Sequence, residues 1–436
     1  MAGYGPVAMV KTPWGDAGTL RDRRLRPGQR LPADEVARNQ RERLFAALVA
    51  VVAEKGYEGT RVEDLLELSG VSRSAFYAHF SDKEECLLAA LQAFVGPTVG
   101  GIFRDDGPPP DEARARGAFD AFIRLIVEQS AAARMCFVEI YAAGPQAVEK
   151  IDRTIDSVQA FVSTTLDQMP GRANMPPEIV RAMVGGLRKV IHTRLYRNEE
   201  EELTELIPQM WDWVAAYTPP PAPLRRPHAR PAHNGGPPNG YDPADRILRA
   251  LASVVAEKGY PAMTIGDIAA RGSISLSTFY ANFADKEEAM LAAVDSGSSQ
   301  MLATTLPAFR RAPDWQHAVR GAFGAMFAFC AAEPEYTTLG AVDVYAAGKR
   351  ALEQRDQVMT SMEALLIPGF ELNPKVSPIA AEAIGGAIYS MIYDQVMRGG
   401  AESMQEIAPL ATYVTLAPFI GAEEACAVAN SDGRGR

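Results

Sequence analysis

One segment of this chain occurs twice. Residues 44–90 align without a gap on residues 247–293, and 23 of the 47 aligned positions are identical. The two segments begin about 200 residues apart, whereas the units of a solenoid repeat every 20 to 50 residues or so. The sequence therefore predicts a duplicated whole domain, with two copies joined in a single chain.

Each segment has the pattern of short helices separated by tight turns. In the first copy, apolar residues recur at helical spacing from 44 to 52, and Gly56 is a typical helix stop. A second short helix is predicted from Val62 to Ser69-Gly70, and Ser72 is a typical N-cap for a third helix over 73–80. A short turn before a capped third helix describes a helix-turn-helix.

The third helix has an apolar face and a polar face. Phe76 and Phe80 are four residues apart, so both are predicted to pack on the other two helices. The opposite face carries hydroxyls and a guanidinium that can reach base edges or phosphates: Arg73, Ser74 and Tyr77. Lys83 begins the next helix, where its charge and the free N–H groups can bind a phosphate oxygen.

The bulk composition limits the possible functions. A net charge of −10 argues against nonspecific nucleic-acid binding over the whole surface, but it allows a local basic face. The sequence has no run of 18 apolar residues, so we expect no membrane span. Residues 1–20 do not have the pattern of a secretory signal, so we expect a cytoplasmic protein. The four cysteines lack metal-ligand spacing and are expected to be reduced thiols: Cys86, Cys136, Cys330 and Cys426.

No arrangement of residues predicts enzyme chemistry. The sequence contains no HExxH motif, no Ser-His-Asp arrangement and no paired carboxylates with a plausible partner. We therefore expect no catalytic residue, no cofactor and no metal ion. The sequence does not indicate which residues bind an effector.

The duplicated segment resembles the N-terminal DNA-binding domain of the TetR family of transcriptional regulators. The resemblance lies in Gly56-Tyr57, in Val62-x-Asp64-Leu65 and in the run from Gly70 to Leu87. It implies that the third helix enters the major groove and that Tyr77 and Lys83 touch phosphates. It carries the same roles to Tyr280 and Lys286 in the second copy.

The predicted DNA-binding residues are polar and lie in or beside each helix-turn-helix: Arg61, Ser72, Arg73, Ser74, Tyr77, His79 and Lys83 in the first copy, and Thr264, Ser275, Ser277, Thr278, Tyr280, Asn282 and Lys286 in the second. The second copy departs from the pattern, because Ser273 replaces the turn glycine and Leu276 replaces Arg73. Ser273 is strained if the turn requires a positive φ. We expect the second reading helix to be weaker or to prefer a different half-site.

The predicted fold is all-α, with two tandem units that each combine a helix-turn-helix domain with a helical regulatory domain. The expected boundaries run in chain order: a flexible basic arm over 1–35 that is a candidate for phosphate or groove contact, helix-turn-helix domains over 36–95 and 241–298, regulatory domains over 96–217 and 299–421, a proline-rich linker over 218–240, and a flexible tail over 422–436.

Two functional readings remain open at this point. The first is a regulator, implied by the resemblance to be a repressor, whose two units pack as an intramolecular pseudo-dimer, with a homodimer as the alternative. It would bind a double-stranded DNA operator that need not be symmetric, and a small apolar or aromatic effector would release it. The second is a ligand- or protein-binding module in which one or both helix-turn-helix units no longer bind DNA.

Overall fold

The computed structural model describes residues 10–25, 32–102, 111–227 and 242–431. Over these ranges the chain is helical and contains no strand, which confirms the all-α prediction. The helices before the proline-rich segment are α1 (Ala33–Gly59), α2 (Val62–Ser69), α3 (Arg73–His79), α4 (Lys83–Ile102), α5 (Glu112–Glu128), α6 (Ser130–Phe137), α7 (Pro145–Asp167), α8 (Pro177–Arg197) and α9 (Glu202–Ala215).

The helices after that segment repeat the same order. They are α10 (Pro243–Lys258), α11 (Ile265–Gly272), α12 (Leu276–Asn282), α13 (Lys286–Arg310), α14 (Trp315–Ala332), α15 (Pro334–Ala341), α16 (Lys349–Glu363), α17 (Ile367–Leu372), α18 (Ile379–Gly399), α19 (Ala408–Ile420) and α20 (Ala422–Ala429). The chain divides into two compact units, residues 1–169 with 191–208 and residues 170–190 with 209–436. None of the described helices is long and apolar enough to cross a membrane.

The first helix-turn-helix domain is built around the aromatic residues of α3. Phe76 is fully buried and Phe80 nearly so, and their ring centroids lie 5.8 Å apart. Phe80 also lies 5.9 Å from the ring of Phe45 on α1. Rings packed in this way stabilise a small domain by more than the burial of their apolar surface alone would give. The apolar face predicted for the third helix therefore holds it on α1 and leaves the other face exposed.

The N-terminal arm is ordered over residues 10–25, although the sequence predicted a flexible segment. The Trp14 ring lies 5.1 Å from that of Phe45, and Leu20 is fully buried. The Arg21 Nε donates to the Glu67 carbonyl at 2.9 Å. These two apolar side chains attach an otherwise polar segment to the first helix-turn-helix domain. The remaining arm residues, 1–9 and 26–31, lie outside the described ranges.

The C-terminal residues also depart from the prediction of a flexible tail. Residues 422–429 form α20, and Ala425, Cys426 and Val428 on this helix are buried. The apolar side chains on one side of this short helix have a partner in α19, so the segment is folded rather than free.

The first part of the proline-rich segment lies against this same end of the second unit. The Tyr413 hydroxyl donates to the Thr218 carbonyl at 2.6 Å, and the Arg225 N–H donates to the Asn430 Oδ1 at 2.7 Å. Residues 218–227 are thus held by α19 and by the end of α20. Residues 228–240 of the predicted linker lie outside the described ranges.

Part of the first copy belongs to the second compact unit. There, residues 177–190 of α8 cross α18 through facing glycines. A Cβ atom on Gly186 would lie 2.5 Å from the Ala383 carbonyl oxygen, and one on Gly386 would lie 3.1 Å from the Gly185 carbonyl oxygen. Two helix backbones can approach this closely only where side chains are missing. The sequence repeats the Gly-Gly pair at 185–186 and 385–386, so each copy supplies half of the crossing.

Candidate nucleic-acid interface and effector cavity

The reading helix of the first copy begins at a well-formed N-cap. The Ser72 Oγ accepts a hydrogen bond from the Ala75 N–H at 3.2 Å, as the sequence predicted. Gly70 precedes it with φ +65°, a left-handed conformation that glycine adopts without strain. The cap and the turn together fix where α3 starts, and thereby which of its side chains are exposed.

The exposed face of α3 carries three of the predicted contact residues. Tyr77 is 50% exposed, and its ring packs edge-on against the buried Phe76 at 5.3 Å, which orients it. Ser74 lies beside the cap, with its Oγ 3.2 Å from that of Ser72. Arg73 is exposed and forms an ion pair with Glu63 on α2. Exposed ion pairs stabilise little, so the Arg73 guanidinium can exchange this partner for a phosphate at small cost.

Arg61 precedes α2, close to the same surface. Its side chain is exposed, and its backbone N–H donates to the Asp64 Oδ2 at 2.9 Å, which closes the first turn of α2.

Two other predicted contact residues are engaged inside the domain. The Lys83 Nζ donates to the Tyr57 carbonyl at 2.8 Å and to the Thr60 carbonyl at 3.0 Å, and it lies 4.1 Å from the Tyr57 ring centroid. Burial lowers the pKa of Lys83. The His79 Nε2 lies 2.8 Å from the Gln40 Oε1, and burial, followed by the charge of Arg41, lowers the His79 pKa. Both side chains join helices in this structure, whereas the sequence assigned them to DNA.

The second reading helix, α12, repeats this arrangement. The Ser275 Oγ accepts from the Thr278 N–H at 3.0 Å and lies 2.7 Å from the Ser277 Oγ. Tyr280 is 57% exposed, and its ring packs edge-on against the buried Phe279 at 5.5 Å. The same groups that face outward in the first copy therefore face outward here.

The remaining predicted residues of the second copy serve local structure as well. The Asn282 Nδ2 donates to the Thr278 carbonyl at 2.8 Å. The Thr264 Oγ1 caps α11 by accepting from the Asp267 N–H at 3.2 Å. Lys286 lies 3.5 Å from the Tyr260 carbonyl and 3.4 Å from the Met263 carbonyl, longer distances than those of Lys83. Lys286 is therefore held less tightly than its counterpart.

The replacement of Arg73 by Leu276 in the second copy is accompanied by a second replacement. Glu63, the ion-pair partner of Arg73, corresponds to Gly266, so both charges are missing from the second copy. The loss of this ion pair therefore leaves the net charge of these two positions unchanged. Leu276 is 52% exposed at the first turn of α12, where an apolar side chain can contact a thymine methyl group.

Ser273 adopts the left-handed conformation that the sequence predicted as a source of strain, with φ +49° and ψ +48°. We expect Ser273→Gly to stabilise the second helix-turn-helix domain by about 1 kcal/mol, because a Cβ atom disfavours this conformation by roughly that amount. Thermal unfolding measures the change. The reciprocal variant, Gly70→Ser, should lower stability, since its Cβ would also lie 3.3 Å from the Arg21 Cγ. Equal melting temperatures for all three proteins would contradict the strain.

Sequence reasoning did not place the arginines of the N-terminal arm. A Cβ atom on Gly70 would lie 3.3 Å from the Arg21 Cγ and 3.5 Å from the Arg24 Cδ, so both side chains border the first turn. Burial, and then the charges of Arg24 and Arg23, lower the pKa of Arg43 at the same place. The excess of arginine in the arm was visible in the sequence. The position at which the arm docks depends on the packing of Trp14 and Leu20, which local sequence patterns do not predict.

A separate cavity of about 200 Å³ lies within the regulatory helices of the second copy. Helices α13, α14, α15, α16 and α18 supply most of its wall, and α19 adds Thr415. The lining is largely apolar and rich in flexible or aromatic side chains, among them Met301, Met326, Met359, Phe309 and Phe323. Such a lining suits a small apolar molecule.

One charged cluster connects the cavity wall to α8. The buried Arg355 lines the cavity; its Nη2 donates to the Asp356 Oδ1 at 2.7 Å and its Nη1 to the Tyr389 hydroxyl at 3.1 Å. The other carboxylate oxygen of Asp356 lies 3.1 Å from the Lys189 Nζ. Two ion pairs thus link the cavity wall to a helix of the first copy.

Comparison with known proteins agrees with this architecture. The profile described as "Bacterial regulatory proteins, tetR family" matches residues 44–90 and again residues 247–294, the two helix-turn-helix domains. The chain thus contains two domains that match the TetR family. It carries the N-terminal domain of that family twice, as the resemblance implied.

The relatives are transcriptional regulators rather than enzymes. The chain is 33% identical over 127 residues to the HTH-type transcriptional activator FasR of Mycolicibacterium smegmatis, covering 29% of this chain and 56% of FasR. It is 40% identical over 68 residues to CymR of Pseudomonas putida, covering 16% of this chain and 33% of CymR. It is 26% identical over 125 residues to RutR of Escherichia coli O157:H7, covering 27% and 56%. The chain thus spans about half the length, or less, of each.

Proposed function

We propose that this protein is a transcriptional regulator that binds double-stranded DNA through two helix-turn-helix domains of different sequence preference. The observation that carries the proposal is that α3 and α12 both present a serine-capped start and a half-exposed tyrosine on an apolar support. Hydroxyls and tyrosines at the start of a helix are suited to phosphate and base-edge contacts. The two family matches at these same residues support it.

The two copies of the duplicated domain are proposed to act as an intramolecular pseudo-dimer. The support is the crossing of α8 and α18, in which both copies contribute a Gly-Gly pair. Two ion pairs flank the crossing, Arg181 with Asp394 at 3.0 Å and Lys189 with Asp356 at 3.1 Å. Equivalent surfaces meeting each other is the geometry of a twofold dimer interface. Fusion in one chain releases the halves from strict symmetry, so the operator need not be a palindrome.

A small effector is proposed to bind in the cavity of the second copy and to control DNA binding. Occupancy would alter the wall that contains Arg355, and the Arg355–Asp356–Lys189 contacts give it a route to α8. An effector shifts such an equilibrium only by its difference in affinity for the two states. We propose release from DNA, hence repression, as the ordinary output. FasR is named an activator, so a reporter assay in the presence and absence of the protein decides this point.

The proposal is tested by selecting bound sequences from random double-stranded DNA with the intact chain. We expect two different half-sites to be enriched at a fixed spacing. Tyr77→Ala should remove enrichment of one half-site, and Tyr280→Ala should remove enrichment of the other. Each truncation removes an exposed side chain, so the fold should be retained.

The control is Leu372→Ala, which truncates a side chain that is 57% exposed and belongs to neither helix-turn-helix. This variant should enrich the same two half-sites as the parent. Enrichment of only one half-site by the parent would indicate that a single helix-turn-helix binds DNA. No enrichment by any folded version would support the alternative, a ligand- or protein-binding module without DNA affinity.

A further inference from the structure

The cavity wall contains one buried hydroxyl of particular interest, that of Thr415 on α19. Thr415 is 1% exposed, and within the described part of the chain its Oγ1 has no hydrogen-bond partner. Threonine in a helix usually donates to the carbonyl four residues earlier, as Thr412 on the same helix does to Ala408 at 2.8 Å. A buried polar group without a partner is rare and destabilises the empty protein, so its presence requires an explanation.

Two other threonines of the wall have hydrogen-bond partners. The Thr305 Oγ1 donates to the Met301 carbonyl at 2.8 Å, and the Thr337 Oγ1 donates to the Cys330 carbonyl at 2.9 Å. Thr415 is therefore distinguished from the neighbouring threonines by its environment rather than by its residue type. The Oγ1 itself is not exposed to the cavity, so a ligand must shift a flexible side chain of the wall to supply the missing hydrogen bond.

The charges of the wall do not call for a charged ligand. The Arg355 guanidinium is already paired with Asp356 and bonded to Tyr389. Glu363 also lines the cavity, and a carboxylate there disfavours an anion. A charged molecule would have to displace an existing pair or lose its hydration without compensation. The wall thus favours a neutral molecule.

We infer that the cavity binds a neutral, mostly apolar molecule that carries one hydroxyl or carbonyl group, and that the Thr415 hydroxyl is the hydrogen-bond partner of that group. This inference rests on the proposed effector role of the cavity. An apolar cavity of about 150 Å³ in another protein holds benzene, so about 200 Å³ is sufficient for a two-ring molecule.

Three probes with the same ring system test the inference: naphthalene, 2-naphthol and 2-naphthoate. Their affinities are measured by calorimetric titration for the intact chain, for Thr415→Val and for the matched control Thr305→Val. The parent should bind 2-naphthol more tightly than naphthalene. Thr415→Val should weaken 2-naphthol binding by about 3- to 10-fold, the effect of one hydrogen bond, and leave naphthalene binding unchanged. Thr305→Val should leave the ratio of the two affinities as in the parent.

The possible outcomes separate the inference from the proposed function. If Thr415→Val leaves the ratio of 2-naphthol to naphthalene affinities unchanged, Thr415 is not the partner, while the cavity keeps its proposed role. Tightest binding by 2-naphthoate would overturn the assignment of a neutral ligand. Failure of all three probes to bind would overturn both proposals. Misfolding is checked by the melting temperature of Thr415→Val, which should equal or exceed that of the parent because only an unpartnered hydroxyl is lost.

Discussion

Asp343→Asn should stabilise the protein strongly at pH 8 and have little effect at pH 4. The Asp343 carboxylate is half-buried, and within the described residues it accepts no hydrogen bond. Burial raises the pKa of Asp343 from 3.8 to about 7. An acid whose pKa is raised by folding binds more protons in the folded state, so stability falls as the pH rises from about 4 to about 7. The shift corresponds to a loss of about 2 to 4 kcal/mol, which the neutral asparagine should remove.

In the first copy, the carboxylate at the equivalent position does accept a hydrogen bond. Glu139 occupies the place of Asp343, and its Oε2 accepts from the Tyr57 N–H at 2.9 Å. The longer side chain reaches a donor whose counterpart in the second copy is Tyr260. Asp343→Glu should therefore also weaken the pH dependence, through a new hydrogen bond rather than through loss of charge. Calorimetric scans at pH 4, 6 and 8 measure both variants. Parallel pH profiles for the parent and Asp343→Asn would contradict the assignment.

Gly186→Ala should destabilise the unit that contains residues 209–436 by about 1 to 3 kcal/mol, the range of an overpacked core. The added Cβ would lie 2.4 Å from the Trp213 Cη2 and 2.5 Å from the Ala383 carbonyl oxygen. The second of these neighbours is backbone, which cannot rotate away. The helices must therefore separate, and the melting temperature of this unit in a calorimetric scan should fall.

A glycine of the facing pair provides the control. A Cβ on Gly385 would meet nothing closer than the Glu363 Oε1, at 3.8 Å. Gly385→Ala should therefore gain up to about 1 kcal/mol from helix propensity without a clash. If Gly186→Ala and Gly385→Ala had equal effects, the close approach of α8 and α18 would be wrong, and with it the main support for the pseudo-dimer.

Local signals predicted the elements that position the interface. Ser72 caps α3, and the Asp82 Oδ1 accepts a hydrogen bond from the Glu85 N–H at 2.8 Å in the first turn of α4, because capping depends on residues only three apart. By contrast, the chain also breaks between α5 and α6 at Gln129, with φ −110° and ψ +41°. No glycine or proline marks that residue, so only tertiary packing determines it.

Distant partners explain the features that the sequence did not predict. The positive charge of Lys83 suggested a phosphate, but the carbonyls that it binds belong to residues 23 and 26 positions earlier. The cavity is lined by residues from 293 to 415, and no single helix reveals it. Thr415 could not be distinguished from other threonines until its surroundings were known. Contacts between remote segments are the kind of information that periodicity does not contain.

The docked arm affects how shortened versions of this protein should be designed. A version that starts at Pro32 would retain every helix of the first DNA-binding domain and would look complete by secondary structure. It would nevertheless leave the side of Phe45 that Trp14 covers open to water and would remove the arginines beside Gly70. Truncated proteins prepared for crystallisation or for binding assays should therefore begin at or before residue 10, so that the truncation does not expose an apolar surface prone to aggregation.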